Sequence, residues 1–175
     1  MPSNIEIKAK ITDFSRTRAL AETLSDTPVE TLVQEDYFFN LPNAAQGRLK
    51  LRRFSSDRGE LIFYQRDDCA GPKKCLYEIV PTDVPDRLKS VLTKALGVRG
   101  TVIKTRLLYR VGQTRIHLDK VKDLGEFLEL EVVLRPGQSE MQGQKIASVL
   151  MERLAISKTD LIAGAYIDLL SVMTE

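Results

Sequence analysis

Charged side chains recur at every second position along most of the segments that the sequence predicts to be β-strands. Alternate residues of a strand lie on the same face, so each segment has one ionic face and one largely apolar face. In the first segment, Glu6 and Lys8 alternate with Ile5, Ile7 and Ala9. The ionic residues of these faces are Glu6, Lys8, Lys10, Arg48, Lys50, Arg52, Arg66, Glu78, Lys104, Arg106, Arg110, Arg115, His117, Asp119, Glu129 and Glu131.

Hydrophobic periodicity and turn residues predict eight strands and four helices in one α+β domain, residues 1–175. The predicted strands are residues 5–11, 34–39, 48–54, 60–66, 75–80, 102–111, 114–121 and 127–134. The predicted helices are residues 13–24, 85–97, 139–154 and 160–170. A turn is expected through Pro42, Asn43 and Gly47, and most of the other strand connections are short enough to be hairpins.

The ionic face of this sheet has two interpretations. In an open sheet it would be the solvated face, but Arg48, Lys50 and Arg52 would then repel one another without an anionic partner. Alternatively, the sheet closes with its ionic face inside and its apolar face outside. We therefore predict a closed antiparallel eight-stranded β-barrel, a tunnel with a polar, cationic interior and helices packed outside.

Such an interior would hold more cations than carboxylates. The cations are Lys8, Lys10, Arg48, Lys50, Arg52, Arg66, Lys104, Arg106 and Arg115, and the carboxylates are Glu6, Glu78, Asp119, Glu129 and Glu131. Unpaired buried charge costs on the order of several kcal/mol per ion, so the space must be a water-filled cavity that binds an anion. Arginine and lysine side chains are both suited to phosphate oxygens.

The carboxylates of the last strand predict a metal site. Glu129 and Glu131 project in the same direction and can ligate one hard cation such as Mg²⁺ or Mn²⁺, together with substrate phosphates. Glu6 can join them from the first strand. A metal ion among cations that grip phosphate is the equipment of phosphoryl transfer. His117 shares this face, either as a catalytic base or as a hydrogen-bonded structural histidine.

The net charge and the apolar content of the chain restrict the classes of molecule that it can bind. A formal net charge of +2 over 175 residues argues against a nucleic-acid binder, which is usually more basic. No apolar run is long enough to span a bilayer, and residues 1–10 lack the apolar core of a secretory signal. We expect a cytoplasmic monomer or homodimer that binds neither nucleic acid nor a membrane. Cys69 and Cys75 are interpreted as reduced thiols, with a disulfide or a shared metal as alternatives.

Two motifs carry a family resemblance. Residues 4–8 read Asn-Ile-Glu-Ile-Lys, and residues 118–131 contain an aspartate strand, a Gly-x-Phe turn and paired glutamates. Together they resemble the signatures of the CYTH superfamily, also called triphosphate tunnel metalloenzymes. That superfamily includes class IV adenylyl cyclases, thiamine triphosphatases and inorganic triphosphatases. The closing pair Ala165 and Tyr166 resembles its C-terminal tyrosine helix, so the likeness covers nearly the whole chain.

The resemblance implies roles for individual residues. Glu6, Glu129 and Glu131 would hold the metal, while Glu78 and Asp119 would orient the cations. The phosphates would be gripped by Lys8, Arg48, Lys50, Arg52, Arg66, Lys104 and Arg106, with Lys10 and Arg115 as further candidates on the same face. The catalytic candidates are Glu6, Lys8, Lys50, Glu129 and Glu131, with Lys8 or Lys50 assisting the leaving group. The family's first glutamate is Asn4 here, so the site could hold one metal ion or two.

The expected activity is hydrolysis of inorganic tripolyphosphate to phosphate and pyrophosphate. The cationic positions recognise phosphate, and no group of residues suited to reading a nucleobase is evident. Three alternatives remain: a class IV-type adenylyl cyclase that converts ATP to cyclic AMP and pyrophosphate, a thiamine triphosphatase, and a polyphosphate binder without catalysis.

Overall fold

The fold is built on eight strands in the computed structural model, which describes residues 1–42 and 46–172. These strands are β1 (Ser3–Lys10), β2 (Glu30–Phe39), β3 (Arg48–Ser55), β4 (Arg58–Arg66), β5 (Lys73–Thr82), β6 (Val98–Val111), β7 (Thr114–Val121) and β8 (Gly125–Val133). They form a closed barrel in the order β1-β5-β4-β3-β2-β6-β7-β8, and every neighbouring pair is antiparallel. The predicted eight-stranded barrel is confirmed. The turn predicted at Asn43 lies outside the described residues.

Among the described residues, four α-helices accompany the barrel: α1 (Phe14–Leu24), α2 (Pro85–Leu96), α3 (Glu140–Arg153) and α4 (Tyr166–Val172). The side chain of Asp13 accepts a hydrogen bond from the Arg16 backbone N–H and so caps α1. Pro85 is the first residue of α2, and Ser139 forms a capping box with Gln142 before α3. No helix in the described ranges has the length and apolar character needed to cross a membrane.

The prediction of one helix over residues 160–170 is wrong. Lys158–Asp160 form a single 3₁₀ turn, and the Ile162 backbone N–H then donates to the Lys8 carbonyl at 3.0 Å. Gly164 has a φ of +79°, a left-handed conformation that glycine adopts without strain. The helix begins only at Tyr166, because backbone pairing with β1 and the turn at Gly164 interrupt the segment.

The largest apolar cluster lies between the outer face of the barrel and helices α1 and α3. Ile5 and Ile7 of β1 are fully buried there beside Leu128 and Leu130 of β8. The helices contribute Ala21, Ala147, Leu150 and Met151. Full burial of a side chain of this size stabilises the fold by roughly 1.5–3 kcal/mol. The apolar face of the strands therefore points outward onto helices, as predicted, and the ionic face points inward.

The start of α4 closes one end of the barrel. Val102, Val121 and Phe127 occupy inward positions at that end and form a second apolar cluster. Residues 165–167 pack against this cluster, and the rings of Phe127 and Tyr166 are 5.0 Å apart. The interior is therefore a pocket with one apolar closed end.

The contact between α3 and the barrel provides a test of the packing. A Cβ atom at Gly143 would lie 2.6 Å from Ile5 Cγ1 and 2.6 Å from Leu134 Cδ2, closer than side chains tolerate. We expect Gly143→Val to lower the free energy of unfolding by about 1–3 kcal/mol. Gln144→Val, at the exposed neighbouring position, should cost no more than about 0.5 kcal/mol. Urea denaturation of both variants measures the difference, and equal losses would contradict the packing.

Candidate active site

A cavity of about 290 Å³ occupies the barrel interior, near the lower limit of ligand-pocket volumes. Among its described lining residues, nine are cationic and six are acidic, so positive charge predominates. The predicted site residues that line it are Glu6, Lys8, Lys50, Arg52, Arg66, Lys104, Arg106, Arg115, Glu129 and Glu131. The structure thus brings together most of the ionic residues that sequence alternation selects.

Two of the predicted phosphate-binding residues lie elsewhere. Lys10 pairs with Phe127 at the closed end, and its exposed side chain lies beyond the apolar layer that closes the barrel. Arg48 is also at that end, where its guanidinium donates to Asp168 of α4 at 2.9 Å and to Asp68. Both cations share the strand alternation of the site, but they lie past the end of the cavity.

The prediction that Glu78 faces the interior is wrong. Its side chain is exposed, whereas Cys75, Tyr77 and Ile79 of the same strand line the cavity. Within the predicted strand 75–80 these inward residues are apolar or weakly polar. The charge on that face of β5 is Lys73, which is buried opposite Glu6 just before the predicted strand begins. Choosing the inward face by charge therefore selected the wrong side of β5.

Asp36 of β2 is an acidic centre that sequence reasoning missed. It is 1% exposed and accepts hydrogen bonds from Lys50 at 3.0 Å, Lys104 at 2.8 Å and both the Nε and Nη2 atoms of Arg52 at 2.8 and 2.9 Å. Burial alone would raise the pKa of Asp36, but the three cations lower it by more, so it lies well below its usual value. Alternation does not single out Asp36, because the adjacent Glu35 is equally acidic.

Glu129 is a second acidic centre. One of its oxygens lies 2.7 Å from Arg106 Nη2 and the other 3.1 Å from Lys8 Nζ. Burial would raise the pKa of Glu129, yet Lys8 and Arg106 lower it well below its usual value. The carboxylate is therefore ionised at neutral pH.

Asp119 lies behind Arg106 and is fully buried. It accepts hydrogen bonds from Arg106 Nε at 2.7 Å and Nη2 at 2.6 Å, a bidentate pair that fixes the guanidinium plane. The Tyr166 hydroxyl donates to the same carboxylate at 3.0 Å, and Lys8 Nζ lies 3.9 Å from the centre of the Tyr166 ring. The family resemblance implies an orienting role for Asp119, and the structure places its carboxylate against Arg106.

Glu6 and Arg66 form an ion pair beside the closed end. Burial raises the pKa of Glu6, and Arg66 only partly offsets this. Arg66 Nη2 also donates to the Gly164 carbonyl at 2.7 Å, so the chain before α4 contacts the site.

Both cysteines are free, Cys69 exposed and Cys75 buried, and burial raises the pKa of the Cys75 thiol to about 12.

His117, Glu129 and Glu131 form a cluster of potential metal ligands, with one ligand atom from each within 4.8 Å of the others. His117 Nδ1 is buried without a hydrogen-bond partner. It lies 3.6 Å from Glu129 and 3.9 Å from Glu131, too far for hydrogen bonds. Burial lowers the pKa of His117, which favours the neutral imidazole. An unpaired ring nitrogen between two carboxylates fits a divalent cation.

Glu6 and Asn4 lie on the strand next to this cluster. Glu6 is the direct cross-strand neighbour of Glu131, but its carboxylate is engaged by Arg66. Asn4 lines the cavity, and its buried side-chain oxygen has no hydrogen-bond partner. Of the three predicted metal ligands, the structure places Glu129 and Glu131 together and adds His117.

The CYTH domain family model matches residues 3–166, which include all eight strands. The chain therefore belongs to the CYTH family. No curated protein sequence matches it.

Solved structures share this fold over nearly the whole chain. A protein from Pyrococcus horikoshii is 22% identical with a TM-score of 0.83, covering 94% of this chain and 98% of that one. A candidate adenylate cyclase from Vibrio parahaemolyticus is 18% identical with a TM-score of 0.77, covering 96% and 97%. A candidate adenylyl cyclase from Hippeastrum with a dominant triphosphatase activity is 14% identical with a TM-score of 0.66, covering 94% and 91%. These matches support the barrel fold.

Lys104 allows a test of whether anion binding in the cavity is coupled to proton uptake. Burial lowers its pKa to about 7, despite the opposing effect of Asp36, so the amine is largely neutral at pH 8 in the empty cavity. A bound phosphate chain favours the ammonium form, and we expect tripolyphosphate binding at pH 8 to take up a proton at this site. Below about pH 6 the amine is already charged and the uptake should vanish.

Calorimetry in two buffers of different ionisation enthalpy measures this uptake. The Lys104→Arg variant is the matched control, because its guanidinium stays charged throughout this range and the ligand's own titration is the same. Equal proton uptake by the two proteins at pH 8 would contradict the assignment to Lys104.

Proposed function

We propose that this protein is a divalent-metal-dependent hydrolase of a small triphosphate. The observation that carries the proposal is an enclosed cavity in which cations outnumber carboxylates beside a cluster of three metal-ligating side chains. The carboxylates neutralise only part of the positive charge, so a multivalent anion stabilises the arrangement. Membership of the CYTH family supports the same substrate class.

The cations of the cavity wall would grip the phosphate chain. They are Lys8, Lys50, Arg52, Arg66, Lys104, Arg106 and Arg115, all of which line the cavity. Their contacts with carboxylates hold them in place before the substrate arrives: Asp36, Asp119 and Glu129 hold five of them, Glu6 holds Arg66, and Glu131 holds Arg115. Charged groups fixed in advance in a partly dry site stabilise a transition state without reorganising.

His117, Glu129 and Glu131 would hold a Mg²⁺ or Mn²⁺ ion. When bound, such an ion neutralises phosphate charge and lowers the pKa of a coordinated water. The imidazole favours Mn²⁺, because Mg²⁺ prefers ligand sets made of oxygen alone.

Lys50 is better suited than Lys8 to protonate the leaving phosphate. The Lys8 ammonium already contacts Glu129 at 3.1 Å, the Gly164 carbonyl at 3.3 Å and the Tyr166 ring. Lys50 has one carboxylate partner, Asp36, and burial lowers the pKa of its ammonium group. A lower pKa makes the ammonium a stronger acid, so we assign the proton donor to Lys50.

Inorganic tripolyphosphate is the first substrate to test. We expect phosphate release when purified protein is supplied with Mn²⁺ or Mg²⁺ and tripolyphosphate, and loss of release when the metal is chelated. Thiamine triphosphate and ATP belong in the same panel. Binding without turnover of any of the three would contradict hydrolysis and leave a polyphosphate binder.

Apolar side chains away from the closed end favour a second candidate, a nucleotide cyclase. Leu32 on β2, Leu108 on β6 and Phe54 on β3 line the cavity farther from the closed end than Asp36, Arg106 and Arg52 of the same strands. Ile79 of β5 completes this apolar part of the cavity wall. An organic group attached to the triphosphate would contact these residues. Cyclic AMP and pyrophosphate formed from ATP would establish the cyclase, whereas ADP and phosphate would establish hydrolysis.

Glu131→Gln tests the metal ligands. The substitution preserves size but removes a negative charge from the cluster, and we expect Mn²⁺-dependent turnover to fall roughly 100-fold or more. Glu126→Gln is the matched control, since Glu126 is on the same strand but pairs with Lys120 on the outer face. Thermal melting should be similar for both variants. Full activity of Glu131→Gln would show that this carboxylate does not hold the metal.

A further inference from the structure

Asp36 bridges two neighbouring strands through their cations. Its strand β2 lies between β3 and β6 in the barrel, and Asp36 is directly opposite Arg52 on β3. Lys50 comes from β3 and Lys104 from β6, and both ammonium groups lie within 3.0 Å of the same carboxylate oxygen. Three cations from two separate strands therefore converge on one buried side chain.

The charge at this point is unbalanced. When Lys104 is protonated, one carboxylate compensates one of three cations, and each of the three also lines the cavity. Each lysine ammonium has three N–H donors and the guanidinium has five, whereas Asp36 uses one from each lysine and two from Arg52. Unused donors and uncompensated positive charge remain beside the cavity.

A stabilising role alone does not account for this arrangement. A buried ion cluster contributes little stability compared with apolar residues of similar size, and three cations around one carboxylate also repel each other. The same arrangement suits a dianionic group, because two further negative charges would complete the balance.

We propose that Asp36 is a positioning residue that gathers Lys50, Arg52 and Lys104 into one subsite for a single phosphoryl group. The inference rests on the proposed function in that the ligand is a phosphate chain. Without the carboxylate, the three cations repel one another and lose their common orientation. Anion attraction then persists, but the geometry needed for the reaction does not.

The Asp36→Asn variant separates these two effects. Metal-free calorimetry with tripolyphosphate at pH 6, where Lys104 is charged, measures binding without turnover. We expect a Kd equal to or lower than that of the unaltered protein, because a negative charge has been removed. With Mn²⁺, kcat should fall roughly 10- to 100-fold without an increase in KM. Lys104→Gln should instead weaken tripolyphosphate binding, because it removes a cation.

Glu35→Gln is the matched control. Glu35 precedes Asp36 on β2, points to the outer face and contacts Tyr37 and Arg53, so both Kd and kcat should stay unchanged. If Asp36→Asn weakens tripolyphosphate binding tenfold or more, or retains full kcat, the positioning role is overturned.

If Asp36→Asn does not fold, a second comparison tests the same proposal with variants whose net charge at the cluster is closer to that of the unaltered protein. Lys104→Gln is compared with the Asp36→Asn, Lys104→Gln double variant, whose cluster has regained the original net charge. The double variant should bind tripolyphosphate at least as tightly as Lys104→Gln while turning over more slowly, and weaker binding overturns the proposal. If the unaltered protein turns over no triphosphate, the proposed hydrolase fails, while the calorimetric comparison still decides the role of Asp36.

Discussion

Buried charge is the constraint on which the rest of this structure depends. Side chains that carry full charges leave bulk water only when counter-charges or trapped water replace it. The barrel meets this requirement by sharing its carboxylates: Asp36 serves three cations, and Glu129 serves Lys8 and Arg106. Because cations still outnumber carboxylates in the described lining, the interior keeps an excess of positive charge.

The same constraint determines the exterior. A strand that turns its ionic residues inward must turn its apolar residues outward, where only packed helices can remove them from water. Ile5 and Ile7 illustrate this, since they alternate with Glu6 and Lys8 and are completely covered. Gly143 allows α3 to approach β1 closely. One alternation in sequence therefore explains both the site and the core.

The barrel and most of its lining could be predicted from sequence because the alternation is visible on strands such as β1, β3 and β8. Three features could not. The inward face of β5 carries its charge at Lys73, before the predicted strand, and is otherwise Cys75, Tyr77 and Ile79; within residues 75–80 charge therefore pointed to Glu78 on the wrong side. Asp36 follows another acidic residue in the sequence, and only the pairing of β2 with β3 and β6 shows that Asp36 contacts three cations. The late start of α4 depends on the tertiary pairing of Ile162 with Lys8.

Residues 164–166, which lead into α4, complete the site as well as closing the barrel. The Gly164 carbonyl accepts hydrogen bonds from Lys8 and Arg66, and the Tyr166 hydroxyl donates to Asp119. A carbonyl dipole satisfies donors of a buried cation without cancelling its charge, unlike another carboxylate. These neutral contacts fix the cations while preserving the positive excess that a phosphate chain requires. The neutral groups that close the barrel therefore also leave its cations free to attract an anion.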